Sequence, residues 1–443
     1  MEPSKSAVSV AADAQVRAIS KSTRHLVPFL LLMYVLAFLD RANVGFAKAA
    51  LKDVVGISDA AFAFGASVFF VAYVLLEIPS NILMHKVGAR VWMCRIMVTW
   101  GLFSAAMMFV EGPTSFYVLR FLLGACEAGF FPGVILYLTY WFPDSSRAKV
   151  TGLFYFGAPL AFIFGSPLSG WLLRFDGALG LHGYQWMFLI EGLAATAVGI
   201  WAYFYLANRP RDAAWLDADE KNALIAVVER EQAGKVSHGP STMLASMRDG
   251  RTMYFGLIFF LVQMGVSVVV FYLPTYIGRL LGPVSPLTVG FVVAIPWTCA
   301  LLATFAVPRL AGRSGHLVPY GVGSLVVAAA AMLMSSGSDP LLAVVAMCFA
   351  VAGLWAVQPI FWTLLTNYLG GLAAVAGVAF VNCIANLGNF FSPNVKAWAD
   401  THYGSGVAGL ILLSATVLLA AVLFLGLRPR RDTVPGELAP RAR

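Results

Sequence analysis

The chain has 443 residues and a formal net charge of +8; 60% of it is hydrophobic, only 12% is charged, and its mean hydropathy is +0.79. Soluble domains run near about 45–50% apolar and about 25% charged, so a soluble class is excluded and a polytopic, all-α membrane protein is expected. The five cysteines (Cys94, Cys126, Cys299, Cys348 and Cys383) lie in apolar stretches without CxxC spacing, so no disulfide framework, metal site or cofactor is implied.

In chain order, residues 1–25 read as a polar cytoplasmic tail that does not have the form of a cleavable signal. Twelve apolar spans follow, near 26–47, 61–85, 90–110, 114–141, 149–172, 184–206, 252–278, 286–308, 316–335, 340–364, 373–397 and 405–427. They divide into six-helix bundles over 26–206 and 252–427, joined by a hydrophilic connector, 207–251, and followed by a tail, 428–443. In the connector, Asp217 followed by Glu220 has the spacing of a capping box and opens a surface helix. With both termini cytoplasmic, the inner side holds 23 of the 30 Lys and Arg residues. The outer side keeps five (Lys48, Lys52, Arg174, Arg279 and Lys396), and Arg41 and Arg120 are inside the membrane. The positive-inside rule accounts for the net charge, and no nucleic-acid partner is needed.

Charge inside the first bundle is the informative feature. Asp and Arg at the centre of a membrane helix cost roughly 2.5–3.5 kcal/mol each on insertion scales, yet Asp40 and Arg41 are adjacent in span one. Either they form a static ion pair between helices or they line a path for a proton or an ion. Arg120 and Glu127 are two turns apart on one face of span four, with Gly124 between them. Asp40 and Arg120 lie at similar depth, so a pair between them is expected, leaving Glu127 deeper and less compensated. Asp40 and Glu127 are the candidate proton carriers, with Arg120 as partner. Arg41 points about 100° away from Asp40 and is free to face a central cavity, where a guanidinium holds a carboxylate by two parallel hydrogen bonds. Glu77 and Glu191 read as structural or gating partners.

The second bundle has no charge in its span interiors. Asn382, Asn386 and Asn389 form a stripe on span eleven; span ten offers Trp355, Gln358, Trp362 and Thr363, and span seven Gln263 and Tyr272. With Tyr73 of span two, Gln263, Tyr272, Trp362, Thr363, Asn382 and Asn386 are the expected substrate contacts beside Arg41. Ordinary interhelical hydrogen bonding is the alternative for the Asn stripe.

Several stretches are similar to signatures of a known family: Leu39-Asp40-Arg41-Ala42-Asn43, Glu77-Ile78-Pro79-Ser80-Asn81, the run from Arg120 to Gly133, Gly165-Ser166-Pro167-Leu168-Ser169-Gly170-Trp171, and the run from Gln185 to Gly192. Taken in order, they resemble the major facilitator superfamily and, within it, the anion:cation symporters, over 26–427. The superfamily's loop motif after span two is matched at Lys86, Gly88 and Arg90, with His85 where the family has an acid. The resemblance implies the major facilitator fold, twelve helices in two bundles working by alternating access, and a small organic anion such as a sugar acid, tartrate or an aromatic acid as substrate. It also implies protons as the coupled ion and Arg41 as the anion's anchor. A monomer in the bacterial inner membrane is expected. An exchanger or exporter on the same fold is the alternative; a membrane enzyme or sensor is more remote, because no nucleophile elbow, phosphate loop or metal constellation appears.

Overall fold

A computed structural model of the protein describes residues 5–235, 248–337, 339–369 and 371–427; the expected tail 428–443 lies outside them. Among the described residues every regular element is helical. The first group comprises α1 (Lys5–Asp53), α2 (Asp59–Val87), α3 (Ala89–Ala106), α4 (Pro113–Glu127), α5 (Phe130–Trp141), α6 (Asp144–Tyr155), α7 (Gly157–Leu172) and α8 (Gly183–Tyr205). After α9 (Ala218–Lys235) come α10 (Gly250–Leu281), α11 (Pro286–Ser314), α12 (Leu317–Met334), α13 (Pro340–Leu369), α14 (Gly371–His402) and α15 (Ala408–Phe424). Ten stretches of the described chain are long and apolar enough to cross a bilayer; α15 is apolar but shorter, and α14 carries the Asn stripe.

Helices α3 and α8, α2 and α4, and α1 and α7 pack within the first bundle, as α10 and α14, α11 and α13, and α12 and α15 do within the second. The bundles meet where α7 crosses α11, α2 lies on α14 and α1 lies on α10. Glycine makes these crossings close. A Cβ on Gly45 would stand 2.9 Å from the Phe271 carbonyl oxygen, and one on Gly170 or Gly290 would run into backbone of the opposite bundle. Small residues at such crossings let two backbones approach in lipid. Helix α10 is the most buried of the ten apolar stretches.

Three boundaries differ from the sequence reading. The polar stretch before residue 26 is helical from Lys5 and continuous with span one. It docks on α9, where Lys21 bonds Glu220 at 2.8 Å and Arg17 lies 3.7 Å from the same buried carboxylate. The continuity follows from composition: no glycine precedes Gly45, and Pro28 is the only proline inside the helix. The capping box closes as spaced, Asp217 Oδ1 accepting from Glu220 N at 2.9 Å and Glu220 Oε2 from Asp217 N at 3.2 Å.

Span four is broken. Helix α4 ends at Glu127 and α5 starts at Phe130, with Gly129 at φ +86° in the turn between them. Span five is bent at Phe156, where α6 gives way to α7. At the cytoplasmic end of α10, Asp249 accepts from Thr252 N and the Tyr368 hydroxyl, both at 2.9 Å. Burial works against its ionised form, but these bonds outweigh it and hold the carboxyl below the usual carboxylate range.

Candidate functional site

A cavity of about 70 Å³ lies where the bundles meet, lined on one side by Tyr34, Phe38, Arg41, Phe70 and Tyr155. Across from them stand Gln263, Ser267, Thr304, Trp355, Gln358 and Asn389. Span one places Arg41 here because Phe38 precedes it by one turn on the same face, and the guanidinium stacks over that ring at 4.8 Å. Tyr73 stands farther back, its ring centre 5.8 Å from the same carbon.

Arg41 is paired. Its Nη2 donates to Glu127 Oε1 at 2.5 Å, and Glu127 is buried directly behind it at the end of α4. The chain break after Glu127 fixes this geometry, since the backbone turns away at Ala128 and Gly129 and leaves the carboxylate facing α1. The pair does not exhaust either group: Arg41 Nε and Glu127 Oε2 are buried without a hydrogen-bond partner. Gln263 Oε1 and Thr304 Oγ1, on the opposite wall, are in the same state. An unmet buried polar atom costs about 1–3 kcal/mol. Three of these atoms are on lining residues, and the fourth is behind Arg41.

The expected Asp40–Arg120 pair does not form. Asp40 accepts from the Trp100 ring nitrogen, from Ser104 Oγ at 2.6 Å and from Asn43 Nδ2 at 3.3 Å. These donors, two of them on α3, satisfy the carboxylate, and among the described residues no base pairs with it. Arg120 donates instead to the carbonyls of Gly65 and Ala66, at 3.4 and 3.2 Å, and stacks over Phe69. Gly124 brings α2 this close, for a Cβ there would strike the Phe69 carbonyl. Of the acids inside the membrane among the described residues, only Glu127 is in an ion pair. Glu191 accepts from Ser169 at 2.8 Å, and Glu77 accepts from Asn382 of the other bundle at 2.8 Å.

In the second bundle, five of the six expected contacts lie off the central cavity wall, Gln263 being the one on it. Trp362 packs on Phe259 and Phe361, and Thr363 is exposed, its hydroxyl donating to its own helix at Pro359. Asn382 is engaged by Glu77, and Asn386 accepts from Asn389 at 3.2 Å, so that Asn389 is the stripe residue on the cavity wall. Tyr272 lines a different cavity, nearer the outer face. Trp355, Gln358 and Asn389 were visible as polar and aromatic residues of spans ten and eleven, but the helix rotation that selects them was not. Nothing in the local pattern pointed to Tyr155 or Thr304. In the loop motif, Gly88 has φ +99° and abuts Asn208, which accepts from Arg90 N at 3.0 Å, while His85 meets the Tyr140 hydroxyl at 3.0 Å and Lys86 is exposed.

Residues 30–393 match the family model described as Major Facilitator Superfamily. The chain belongs to that superfamily. A relative from Agrobacterium vitis named "Putative tartrate transporter" is 41% identical over 97% of this chain and 98% of its own. "Inner membrane transport protein RhmT" of Escherichia coli strain K12 is 40% identical over 95% and 97%. "Quinolone resistance transporter" of Acinetobacter baumannii is 36% identical over 93% and 95%. In fold, the chain is similar to a D-xylose–proton symporter, with a TM-score of 0.74 at 16% identity over 91% of this chain and 98% of that one. The protein is thus a multi-pass membrane transporter of the major facilitator fold.

Proposed function

We propose that this transporter carries a small organic anion, a carboxylate such as tartrate or a sugar acid, inward together with protons, as a monomer with twelve spans. One observation supports the reading above the rest: Arg41, on the cavity wall, is held by Glu127. A guanidinium forms its best bidentate contact with one carboxylate at a time. An incoming carboxylate therefore competes with Glu127, and a proton on Glu127 releases Arg41 to the substrate. Arg41 binds and orients the anion, Glu127 takes the proton at its carboxyl, and Asp40 in its Trp100–Ser104 cage is a second protonatable acid. Gln263, Thr304, Gln358 and Asn389 supply hydrogen bonds to hydroxyl or carboxyl groups from the other side. The tartrate name borne by a relative over nearly the whole chain agrees with this substrate class.

Energetics make the coupling necessary for uptake. An inside-negative potential opposes an anion by about 2.3 kcal/mol per charge per 100 mV. Inward accumulation needs compensating cations, and two protonatable acids suffice for a dianion.

The test is uptake of radiolabelled L-tartrate into liposomes holding the purified protein, with the outside acidic. Glu127→Gln should keep binding and counterflow exchange but lose pH-driven accumulation. Arg41→Ala should weaken binding by roughly 30-fold or more, the lower end of about 2–5 kcal/mol for truncating a buried charged partner. Undiminished pH-driven accumulation by the Gln variant overturns the coupling role. Accumulation only with the gradient reversed would make the protein an exporter, the reading that the quinolone-resistance relative favours.

A further inference from the structure

A second cavity is larger than the central one. A recess of about 310 Å³ opens toward the outer face, lined by Lys48 of α1, Asp59 of α2, Tyr272 and Arg279 of α10, and Lys396 and Asp400 of α14. Membrane proteins deplete Lys and Arg on the outer side. Of the five outer bases in this chain, three line this recess, and a fourth, Lys52, shares Asp59 with Lys48.

The acids there do not tie the bundles together. Lys48 and Lys52 bond Asp59 at 2.8 and 2.7 Å, all within the first bundle, and Lys396 bonds Asp400 one turn away on its own helix. What crosses the interface is cation facing cation. The Lys48 and Lys396 ammoniums stand 4.6 and 4.8 Å from the centre of the same Tyr272 ring, within about 10 Å of each other, a Debye length at 0.1 M salt. Arg279, exposed at the rim and beside the loop at Gly406, has no acid partner among the described residues. The Tyr272 hydroxyl is buried and makes no hydrogen bond. The lining balance is three bases to two acids, with Lys52 drawing on Asp59 from outside, one unpaired donor on Tyr272 and the hydroxyls of Thr401 and Ser405 beside them.

We propose that this recess is a second, extracytoplasmic anion site that takes a small carboxylate, separate from the site at Arg41. A carboxylate seated between Lys48, Arg279 and Lys396 and accepting from Tyr272 offsets the repulsion that closing the outer face creates. Occupancy therefore favours the outer-closed arrangement. The volume is at the lower end of small-molecule sites, about 300–1,000 Å³, and suits an acid of a few carbons. The carboxylate class is taken from the proposed function; the site itself rests on the recess. Its floor and the wall of the central cavity are two faces of the same stretch of α10, Val268, Val269 and Tyr272 on the recess side and Ser267, Val270 and Phe271 on the other. An anion held here has α10 between it and the central site, at the height where α10 crosses α1 at Gly45 and Phe271.

The experiment is calorimetric titration of L-tartrate into the full chain in lipid nanodiscs at low and high salt. The wild type should take two equivalents, the Arg279→Gln variant one, and Arg279→Lys should recover the second. In the Arg41→Ala background the remaining equivalent should weaken steeply with salt and disappear when Arg279→Gln is added. A single equivalent in the wild type, or a second one indifferent to Arg279, overturns the proposal. The two readings fail separately. The transport reading falls if liposomes show no tartrate uptake with Arg279 intact, and this one falls on the stoichiometry alone.

Discussion

At the residue scale, the charged groups of the first bundle were legible because an ionised side chain stands out in an apolar span. Their partners were not. Depth along two helices suggested that Asp40 meets Arg120, but Asp40 is satisfied by neutral donors and Arg120 by backbone carbonyls. Helix carbonyls brought within reach of Arg120 by close packing at Gly65 and Gly124 leave no mark in a pattern of side-chain charges. The Asp40 cage makes a distinct prediction. Asp40→Asn keeps the shape but turns an amide N–H toward either the Trp100 ring N–H or the Asn43 amide N–H, both donors. That mismatch should cost about 1–3 kcal/mol and lower the melting temperature of the detergent-solubilised protein. An unchanged melting temperature would mean that the cage contributes nothing to stability.

At the element scale, the spans were readable to within a few residues, and the break in span four was missed. Its signal was present as Gly129 followed by Pro132, a helix stop followed by a residue without an N–H in the first turn of the next helix. The apolar run hid it, since hydropathy does not register a change of backbone path. The break places Glu127 at a helix end facing Arg41, so the turn should tolerate little. Gly129→Ala puts a Cβ at φ +86° against Ser80 and should cost about 1–2 kcal/mol from the left-handed backbone alone. We expect this variant to lose tartrate affinity as Arg41→Ala does, whereas Gly152→Ala, at a position with open space around it, should be neutral in the same binding assay.

At the scale of the whole molecule, the two-bundle architecture was evident from hydropathy and charge bias, while the contacts between bundles could only come from three dimensions. Glu77 is an example. Its position near the inner end of span two suggested a gating role, and its carboxylate accepts from Asn382 across the interface. On the outer side, Asn394 donates to Ser67 at 2.8 Å, again from one bundle to the other. Removing the inner link by Glu77→Ala should shift the population toward an inward-open form. Thiol labelling of Cys383, whose sulfur lies 3.7 Å from Glu77, measures this. Faster labelling from the cytoplasmic side is expected, and an unchanged rate would show that the link does not hold the inner face closed.

The Arg41–Glu127 pair also bears on how tightly the proposed cycle can be wound. With both groups charged and joined, the pair carries no net charge while the cavity is empty, and in the proposed cycle this is the form in which the empty carrier reorients. A proton on Glu127 without an anion leaves a bare guanidinium in the bilayer, and an anion without the proton leaves two carboxylates contending for one cation. Both half-loaded species carry an uncompensated buried charge, which is among the costliest states a protein interior can hold. In that proposed cycle, slip, the passage of protons without cargo or of cargo without protons, would be held down by one ion pair 2.5 Å long rather than by any moving part.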